Sequence, residues 1–290
     1  MARKNEEAKQ SFFNNMSHDM RTPLNAIIGL SDLADQHAGD PKKIRSYLKK
    51  INSSSRQLLL LINDILDVSR MEQGMLMINP QEFDLRSCLQ ECIEPFRIQG
   101  ESDGKIFCED IQIKYAWVLG DPLRINQILN NLLSNALKFT DQGDTVSISV
   151  TQMDEGDYAK YKFIIKDTGI GMSSEFLPHL FEPYVREMRF SSRQTSGTGL
   201  GMTITKSLVL QMNGEITAES KLGEGTLFTI ILPFAAAKSA SPAIGQEVLP
   251  KDDDSHDLLK GCRILLAEDN EINMEISTEI LSLNDIKVTQ

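Results

Sequence analysis

Long hydrophobic runs are missing from this sequence of 290 residues. No stretch reaches the run of about 18 apolar residues that marks a membrane-spanning helix. The first ten residues, MARKNEEAKQ, also lack the apolar segment of a secretory signal. The sequence therefore predicts a cytoplasmic chain with no membrane segment of its own, although a longer parent protein would be free to carry an anchor.

Positive charge is also scarce. Lysine and arginine together number 30 against 41 acidic residues, which gives a formal net charge of −11. Phosphate backbones and anionic membranes attract chains with an excess of positive charge, so this balance argues against nucleic acid or an anionic membrane as a general partner. A local group of basic residues would still suffice to hold a nucleotide.

Several common site motifs are absent as well. The four cysteines form no CxxC pair and fit no common zinc spacing, so we expect reduced, buried or half-buried thiols. The chain has no GxxxxGK[ST] phosphate-binding loop. The glycines of Asp167-Thr-Gly169-Ile-Gly171 lack the third glycine and the βαβ continuation of a dinucleotide-binding fold.

Apolar residues make up 41% of the chain, enough for more than one core, and their periodicity divides it into four parts. Residues 1–72 show two long amphipathic helices, 4–37 and 41–71, with Asp40 as a cap between them. Such a hairpin buries only part of its apolar stripe, and it usually pairs with a second copy as a four-helix bundle. Residues 75–234 predict a two-layer α/β sandwich with a mostly antiparallel sheet, residues 235–260 a flexible linker, and residues 261–290 a partial α/β fragment.

Within the sandwich the predicted helices cover residues 85–98, 121–139 and 200–212. The predicted strands are at 75–78, 105–108, 111–118, 145–152, 160–166, 214–220 and 226–233. The C-terminal fragment begins with a strand at 263–267 and a helix at 270–283.

The first helix carries the string FNNMSHDMRTPLN at residues 13–25. His18 sits one residue off the stripe formed by Met16 and Met20, so its ring is expected to reach solvent. The carboxylate of Asp19 directly follows, and such a neighbour fixes the tautomer of a histidine and makes the other ring nitrogen a better nucleophile. Pro23 is expected to kink the helix beside the reacting residue.

Four further strings bear on phosphate binding. Asn131, Asn135 and Lys138 share one face of a helix, where two amide oxygens and an ammonium suit a Mg²⁺-triphosphate. DTGIGM at 167–172 follows a strand, GTGLGM at 197–202 opens a helix whose N–H groups suit an anion, and GEGTLF at 223–228 forms a glycine turn. Each string alone has low specificity for a function. The four strings in this order along one chain are much more specific.

Together with FEPY at 181–184, these strings closely resemble the N, G1, F, G2 and G3 boxes of the GHKL ATPase fold in histidine kinases. The string around His18 closely resembles the phosphoacceptor box of the same family. The resemblance covers roughly residues 5–234. It implies an enzyme that transfers phosphate from Mg²⁺-ATP to its own histidine, forms a homodimer through the helical hairpin, and passes the phosphoryl group to an aspartate of a receiver domain.

The resemblance also assigns roles to residues of this chain. His18 would accept the phosphoryl group, Asp19 would act as the general base, and Thr22 would orient water when the phosphoryl group is removed. Asp167 would bind the adenine amino group with help from Thr226. The remaining nucleotide-binding residues would be Asn131, Asn135, Lys138, Gly169, Gly171, Gly197, Gly199 and Gly201, the first two of them meeting Mg²⁺.

Residues 264–273, ILLAEDNEIN, resemble the start of a response-regulator receiver domain, in which an acidic pair holds Mg²⁺. Glu268 and Asp269 match that pair. The phosphoacceptor aspartate of a receiver has no counterpart in this sequence. The fragment is therefore expected neither to fold as a receiver nor to accept phosphate, and the parent is expected to be a hybrid kinase.

Two other classes of protein stay open at this point. An ATPase of the chaperone or gyrase type would share the asparagine and glycine strings without needing the string around His18. A dimeric scaffold without activity would have lost some of these residues, and none is missing from the strings above. Within the histidine kinases, the sequence leaves the balance between kinase and phosphatase activity open.

Overall fold

A computed structural model describes residues 2–73, 75, 77–156, 158–183, 185, 199–237 and 261–289. The side chains of residues 2–15, 18 and 72 also lie outside the described part. The chain divides into two compact units, Met1–Ala240 and Ser241–Gln290, which we describe separately. Within the described residues, no helix combines the length and the hydropathy that a membrane crossing requires.

The first unit begins with a helical hairpin. Helix α1 covers Ala2–Gln36 and continues through Pro23, and helix α2 covers Pro41–Glu72. Asp40 caps α2 because its Oδ1 accepts hydrogen bonds from the backbone N–H groups of Lys42 and Lys43, at 3.1 and 3.2 Å. The predicted hairpin and its cap are confirmed.

An α/β sandwich follows. Its helices are α3 (Leu85–Ser102), α4 (Pro122–Lys138) and α5 (Gly201–Gln211). Its strands are β1 (Gln81–Asp84), β2 (Ile106–Gln112), β3 (Trp117–Gly120), β4 (Thr145–Gln152), β5 (Tyr158–Asp167), β6 (Glu215–Lys221) and β7 (Gly225–Ala236).

The seven strands form one mixed sheet with the order β1-β3-β7-β5-β4-β2. The seventh strand, β6, also pairs with β7. On the side of β7 away from β5, β6 pairs with the first part of β7 and β3 pairs with its end. All pairs are antiparallel except β2 with β4, which are parallel. The predicted fold class, a helical hairpin followed by a sandwich with a mostly antiparallel sheet, is confirmed.

The core of the sandwich lies between the sheet and its helices. Alternate residues of β4, β5 and β7 point into it, and helix α4 presents one continuous apolar face. That face consists of Ile125, Ile128, Leu129, Leu132, Leu133, Ala136 and Leu137, all buried. Because α4 carries the predicted asparagines, this burial fixes where they stand.

Several predicted strand boundaries were wrong. The strand expected at residues 75–78 lies instead at Gln81–Asp84, where pairing with β3 places Phe83 opposite Val118. The strand expected at 111–118 is divided, since β2 ends at Gln112 and β3 starts at Trp117. Local alternation could not show which residues find a partner strand, and the partner decides where a strand begins.

Cys88 and Cys92 lie on the inner side of α3, and burial raises the pKa of their thiols to about 11 and about 12. Both remain protonated at neutral pH, as structural thiols do. Cys108 and Cys262 are exposed, so the expectation of buried or half-buried thiols was wrong for these two.

The second unit contains a βαβ arrangement in its described residues. Strand β8 (Arg263–Leu265) pairs in parallel with β9 (Lys287–Thr289), and helix α6 (Glu271–Leu283) connects them. The predicted strand and helix of this segment are confirmed, although β8 ends two residues earlier than expected.

The buried face of α4 gives a test of the core. Replacing Leu133, which is fully buried, by alanine should lower the free energy of unfolding by about 2–5 kcal/mol, because it removes apolar contacts and leaves a cavity. Leu123 lies on the same helix but is 70% exposed, so Leu123→Ala should change stability by less than about 1 kcal/mol. Urea unfolding of both variants measures the difference. Equal losses would contradict the packing of α4 described above.

Candidate functional site

Asp167 ends strand β5 and is only 6% exposed. Its Oδ1 accepts a hydrogen bond from the backbone N–H of Gly169 at 2.9 Å. Burial raises the pKa of this carboxyl, while hydrogen bonds from the backbone of Gly169 and Thr226 oppose the rise. A carboxylate held in this way is suited to accept a hydrogen bond from a ligand amine, and its role in binding adenine stays a prediction.

The glycines beside Asp167 are required by close contacts between backbone segments. A Cβ on Gly169 would lie 2.1 Å from the carbonyl oxygen of Phe139, at the end of α4. A Cβ on Gly171, whose φ is +62°, would lie 2.0 Å from the carbonyl oxygen of Lys221. These contacts bring the 167–172 string against the end of α4 and against the turn that leads into 223–228.

Ser220 connects two of the glycine strings. Its hydroxyl accepts a hydrogen bond from the N–H of Met172 at 2.8 Å, donates to the carbonyl of Gly225 at 2.8 Å, and lies 3.0 Å from Oγ1 of Thr226. The sequence analysis missed this residue. A serine inside a strand carries no spacing signal, and only the fold shows that it meets both strings.

Helix α4 supplies the predicted asparagines. The amide nitrogen of Asn131 donates to the carbonyl of Gly201 and to Oγ1 of Thr205, both at 3.3 Å. Asn131 and Asn135 are half-buried one turn apart, and exposed Lys138 places its Nζ 5.0 Å from the ring centre of Phe139. These hydrogen bonds join the Asn131 end of the asparagine string to the start of α5.

The 197–202 string is only partly described. Gly201 is the first residue of α5, and Gly199 has a φ of +72°, a conformation that favours glycine. Gly197 lies outside the described residues. The described glycines place the N-terminus of α5 beside Asn131, since a Cβ on Gly201 would lie 3.5 Å from that side chain.

The predicted phosphoacceptor stretch lies within α1. The side chain of His18 lies outside the described part of the structure. Asp19 is half-buried and Thr22 is exposed one turn later, while Met16 is 4% exposed and belongs to the main core. The burial of Met16 agrees with the predicted apolar stripe of this helix. His18 was predicted to lie one residue off that stripe.

The acidic pair of the second unit precedes helix α6. Glu268 accepts hydrogen bonds at Oε1 from the N–H of Asn270 and from Nδ2 of Asn273, both at 3.2 Å. Asn270 in turn caps α6 by accepting from the N–H groups of Ile272 and Asn273. Glu268 and exposed Asp269 are adjacent, and among the described residues no group of three His, Cys, Asp or Glu side chains converges on a possible metal position.

Two protein-family models match this chain. One, described as "Histidine kinase-, DNA gyrase B-, and HSP90-like ATPase", matches residues 120–236 and so covers the helix and strings that form the site. The other, described as "His Kinase A (phospho-acceptor) domain", matches residues 8–74. The second match separates this chain from ATPases of the gyrase and chaperone type. Those proteins do not need a helical hairpin with a phosphoacceptor histidine, and this chain has one.

Similar proteins agree with the two matches. A "Hybrid signal transduction histidine kinase L" of Dictyostelium discoideum is 41% identical over 81% of this chain, and the match covers 14% of that protein. The "Autoinducer 2 sensor kinase/phosphatase LuxQ" of Vibrio cholerae is 37% identical over 95% of this chain, and the match covers 32% of that protein. The chain thus spans less than a third of the length of these curated relatives.

Among solved structures, full-length ShkA in complex with AMPPNP matches 96% of this chain and 54% of its own, with a TM-score of 0.58 and 24% identity. At that identity the likeness shows the fold. The fold and site define a chain that joins a helical phosphoacceptor hairpin to a GHKL-type ATPase domain. The chain belongs to the sensor histidine kinases of two-component systems.

Burial of Asp167 predicts how stability depends on pH. The pKa of Asp167 is raised in the folded state. Its contribution to stability is therefore fully present below the ordinary aspartate pKa of about 3.9. That contribution is lost as the pH rises through the raised pKa of the folded state. At pH 7 the buried charge is a net cost. Asp167→Asn should therefore raise the melting temperature at pH 7, and the difference from wild type should shrink as the pH falls towards 4.

Thermal unfolding at several pH values measures this effect. Asp32→Asn, at an exposed position within α1, serves as the matched control and should leave the melting temperature at pH 7 close to that of wild type. A lower melting temperature for Asp167→Asn at pH 7 would show that the hydrogen bonds from Gly169 and Thr226 outweigh the cost of burial.

Proposed function

We propose that this chain is an ATP-dependent protein-histidine kinase that phosphorylates its own His18. The observation that carries the proposal is the convergence of four separate strings on one site. Gly169 packs against the end of α4, Gly171 against Lys221, and Asn131 against Gly201. Family membership supports the same activity, since both a phosphoacceptor domain and an ATPase domain match this chain.

Asp167 is proposed to bind the adenine base. Its buried carboxylate accepts from the N–H of Gly169, which leaves lone pairs on a charged acceptor suited to an adenine amino group. Thr226 lies opposite Asp167 in the β5–β7 pair, and its hydroxyl is oriented by Ser220. Close packing of the glycines around this point would exclude water from the base.

The triphosphate and its metal are proposed to lie along α4. The amide nitrogen of Asn131 is engaged by Gly201 and Thr205, which orients its oxygen as the atom offered to a cation. Asn135 stands one turn further on, and Lys138 adds positive charge at the end of the helix. Amide oxygens are ligands that Mg²⁺ accepts, so the residues present fit the ion. When bound, Mg²⁺ would spread charge over the phosphate oxygens.

The reaction is a displacement at the γ-phosphorus. A ring nitrogen of His18 forms the new N–P bond while the bond to the ADP oxygen breaks, and the proton of the imidazole passes to Asp19. Asp19 is half-buried and directly follows the acceptor in the sequence. Thr22, one turn later, is proposed to position water for the reverse removal of phosphate.

The helical hairpin is proposed to form a homodimer. A single hairpin leaves large apolar side chains in solvent, and a second copy would cover them as a four-helix bundle. Those exposed by more than about a third are Leu24, Ile28, Leu33, Leu48, Leu59, Leu60 and Leu66.

The phosphoryl group is proposed to pass to an aspartate of a receiver domain. The second unit supports this partner, because its βαβ arrangement and acidic pair agree with the resemblance to the start of a receiver. One relative is named a hybrid kinase and another a sensor kinase/phosphatase, so both phosphotransfer and phosphatase activity are proposed for a parent protein. We propose 1–72, 75–234, 235–260 and 261–290 as the phosphoacceptor, ATP-binding, linker and receiver-like segments.

The test is incubation with Mg²⁺-ATP labelled on the γ-phosphate. We expect acid-labile, alkali-stable incorporation that His18→Gln abolishes, because the phosphoramidate bond of phosphohistidine has this lability. Asp167→Ala should abolish labelling for a different reason, the loss of nucleotide binding. Chelation of Mg²⁺ should also stop incorporation.

Binding of a fluorescent ATP analogue separates the two causes. His18→Gln should bind the analogue as wild type does, whereas Asp167→Ala should not. Stable binding without any incorporation into wild type would contradict the kinase activity and favour a scaffold without catalysis.

A further inference from the structure

A polar cluster joins the helical hairpin to the ATP-binding sandwich, and it involves none of the residues assigned to catalysis. Asp67, near the end of α2, is 7% exposed. Its Oδ2 accepts a hydrogen bond from Nε2 of Gln127 at 2.7 Å, and both its oxygens lie 3.4 Å from Nη1 of Arg124. Nη1 of Arg124 also donates to Oε1 of Gln127 at 2.8 Å, which closes the cluster.

The cluster is shielded from solvent on the hairpin side. Val68 is 7% exposed, and Ile65 and Met71 pack against the main core. A carboxylate without its partners would be costly in such a place, so the contact is strongly coupled to the docking of the two domains. The buried pair of Asp67 and Arg124 therefore fixes the position of α4 relative to α2 rather than adding net stability.

The N-terminal turn of α4 also holds the chain segment between the domains. Asp121 caps the helix with Oδ1, which accepts from the N–H of Arg124 at 3.1 Å. Its Oδ2 accepts from the N–H of Asn79 at 2.9 Å. The beginning of α4 is therefore bound to both α2 and the connecting segment, while the proposed nucleotide residues Asn131 and Asn135 lie about one and two turns beyond Gln127.

The cluster lies away from the level of the phosphoacceptor. His18 precedes the hairpin turn at 37–40 by 19 residues, and Asp67 follows it by 27. In an antiparallel hairpin Asp67 is thus about eight residues, or about 12 Å, beyond the level of His18. Phosphoryl transfer requires the nucleotide to reach His18, and a fixed contact at this level restricts the movement of the domain that carries it.

We propose that Asp67, Arg124 and Gln127 are positioning residues that hold the ATP-binding domain in a resting arrangement on α2. Release of this contact limits the rate of autophosphorylation. The inference rests on the proposed function for its kinetic consequence, but the docking itself is measurable without catalysis.

The sharpest test exchanges donor and acceptor. Gln127→Glu is isosteric and places two carboxylates in contact, so it should undock the domains. Asp67→Asn in the same chain restores a hydrogen bond with its direction reversed and returns the cluster to its original net charge. Gln90→Glu, at an exposed position on α3, makes the same chemical change outside the cluster and serves as the matched control.

Two readouts are needed, amide hydrogen exchange over residues 61–72 and the labelling rate at saturating Mg²⁺-ATP. For Gln127→Glu we expect faster exchange and a labelling rate raised at least about tenfold, the scale of losing one hydrogen bond to a charged group. The dissociation constant of an ATP analogue should stay within about twofold of wild type. The double variant should return exchange and labelling rate towards wild type, and Gln90→Glu should match wild type in both.

Failure of this inference is distinguishable from failure of the proposed kinase. Labelled wild type with an unchanged or lowered rate in Gln127→Glu would overturn it, as would a double variant that restores neither readout. If wild type incorporates no phosphate, the proposed function fails, and hydrogen exchange alone then decides on the cluster. In that case restoration of protection by the double variant supports the docking contact, and equal exchange in all variants overturns it.

Discussion

The burial of one face of helix α4 is the constraint on which the rest of the structure depends. Seven apolar side chains of this helix pack into the core, and the opposite side of the same helix is left for polar residues. Asn131 and Asn135 stand one turn apart because the helix is regular, and Asn131 stands beside α5 because the core fixes the helix against the sheet. A helix packed less tightly would leave the distance between these amides and the glycine strings undefined.

The site is built at some cost to stability. Asp167 is a carboxylate in a buried position, and burial raises its pKa. Gly171 and Gly225 adopt positive φ values in tight contacts, where any other residue would be strained. Such features are expected at sites selected for binding rather than for stability. The backbone contacts and the hydroxyl of Ser220 hold these strings against one another, so the proposed nucleotide site is formed by packing within the folded chain.

Helix α4 also connects the two domains of the first unit. Its first turn holds Asp67 of the hairpin and the connecting segment at Asn79, and its last turns carry the proposed phosphate-binding residues. The proposed kinase thus carries its docking contact and its phosphate-binding residues on one helix, so the position of that helix on the hairpin also sets where those residues stand.

The sequence by itself determined the elements and the family. The 3.6-residue period of the hairpin and of α4, the cap at Asp40, and the alternation in β4 and β5 are local signals, and they placed these elements correctly. The ordered strings around His18, Asn131, Asp167 and the glycines identified the family because several short motifs in one order are far more specific than any one of them.

The tertiary structure alone decided which residues meet. Strand β1 at Gln81–Asp84 depends on pairing with β3, which no local pattern reveals. Ser220 meets both glycine strings, and Asp67 meets Arg124 and Gln127 across a separation of about 60 residues. A side chain's role in such contacts depends on neighbours distant in sequence. Periodicity and spacing record only the neighbours along the chain, so these residues became visible only when the chain was folded.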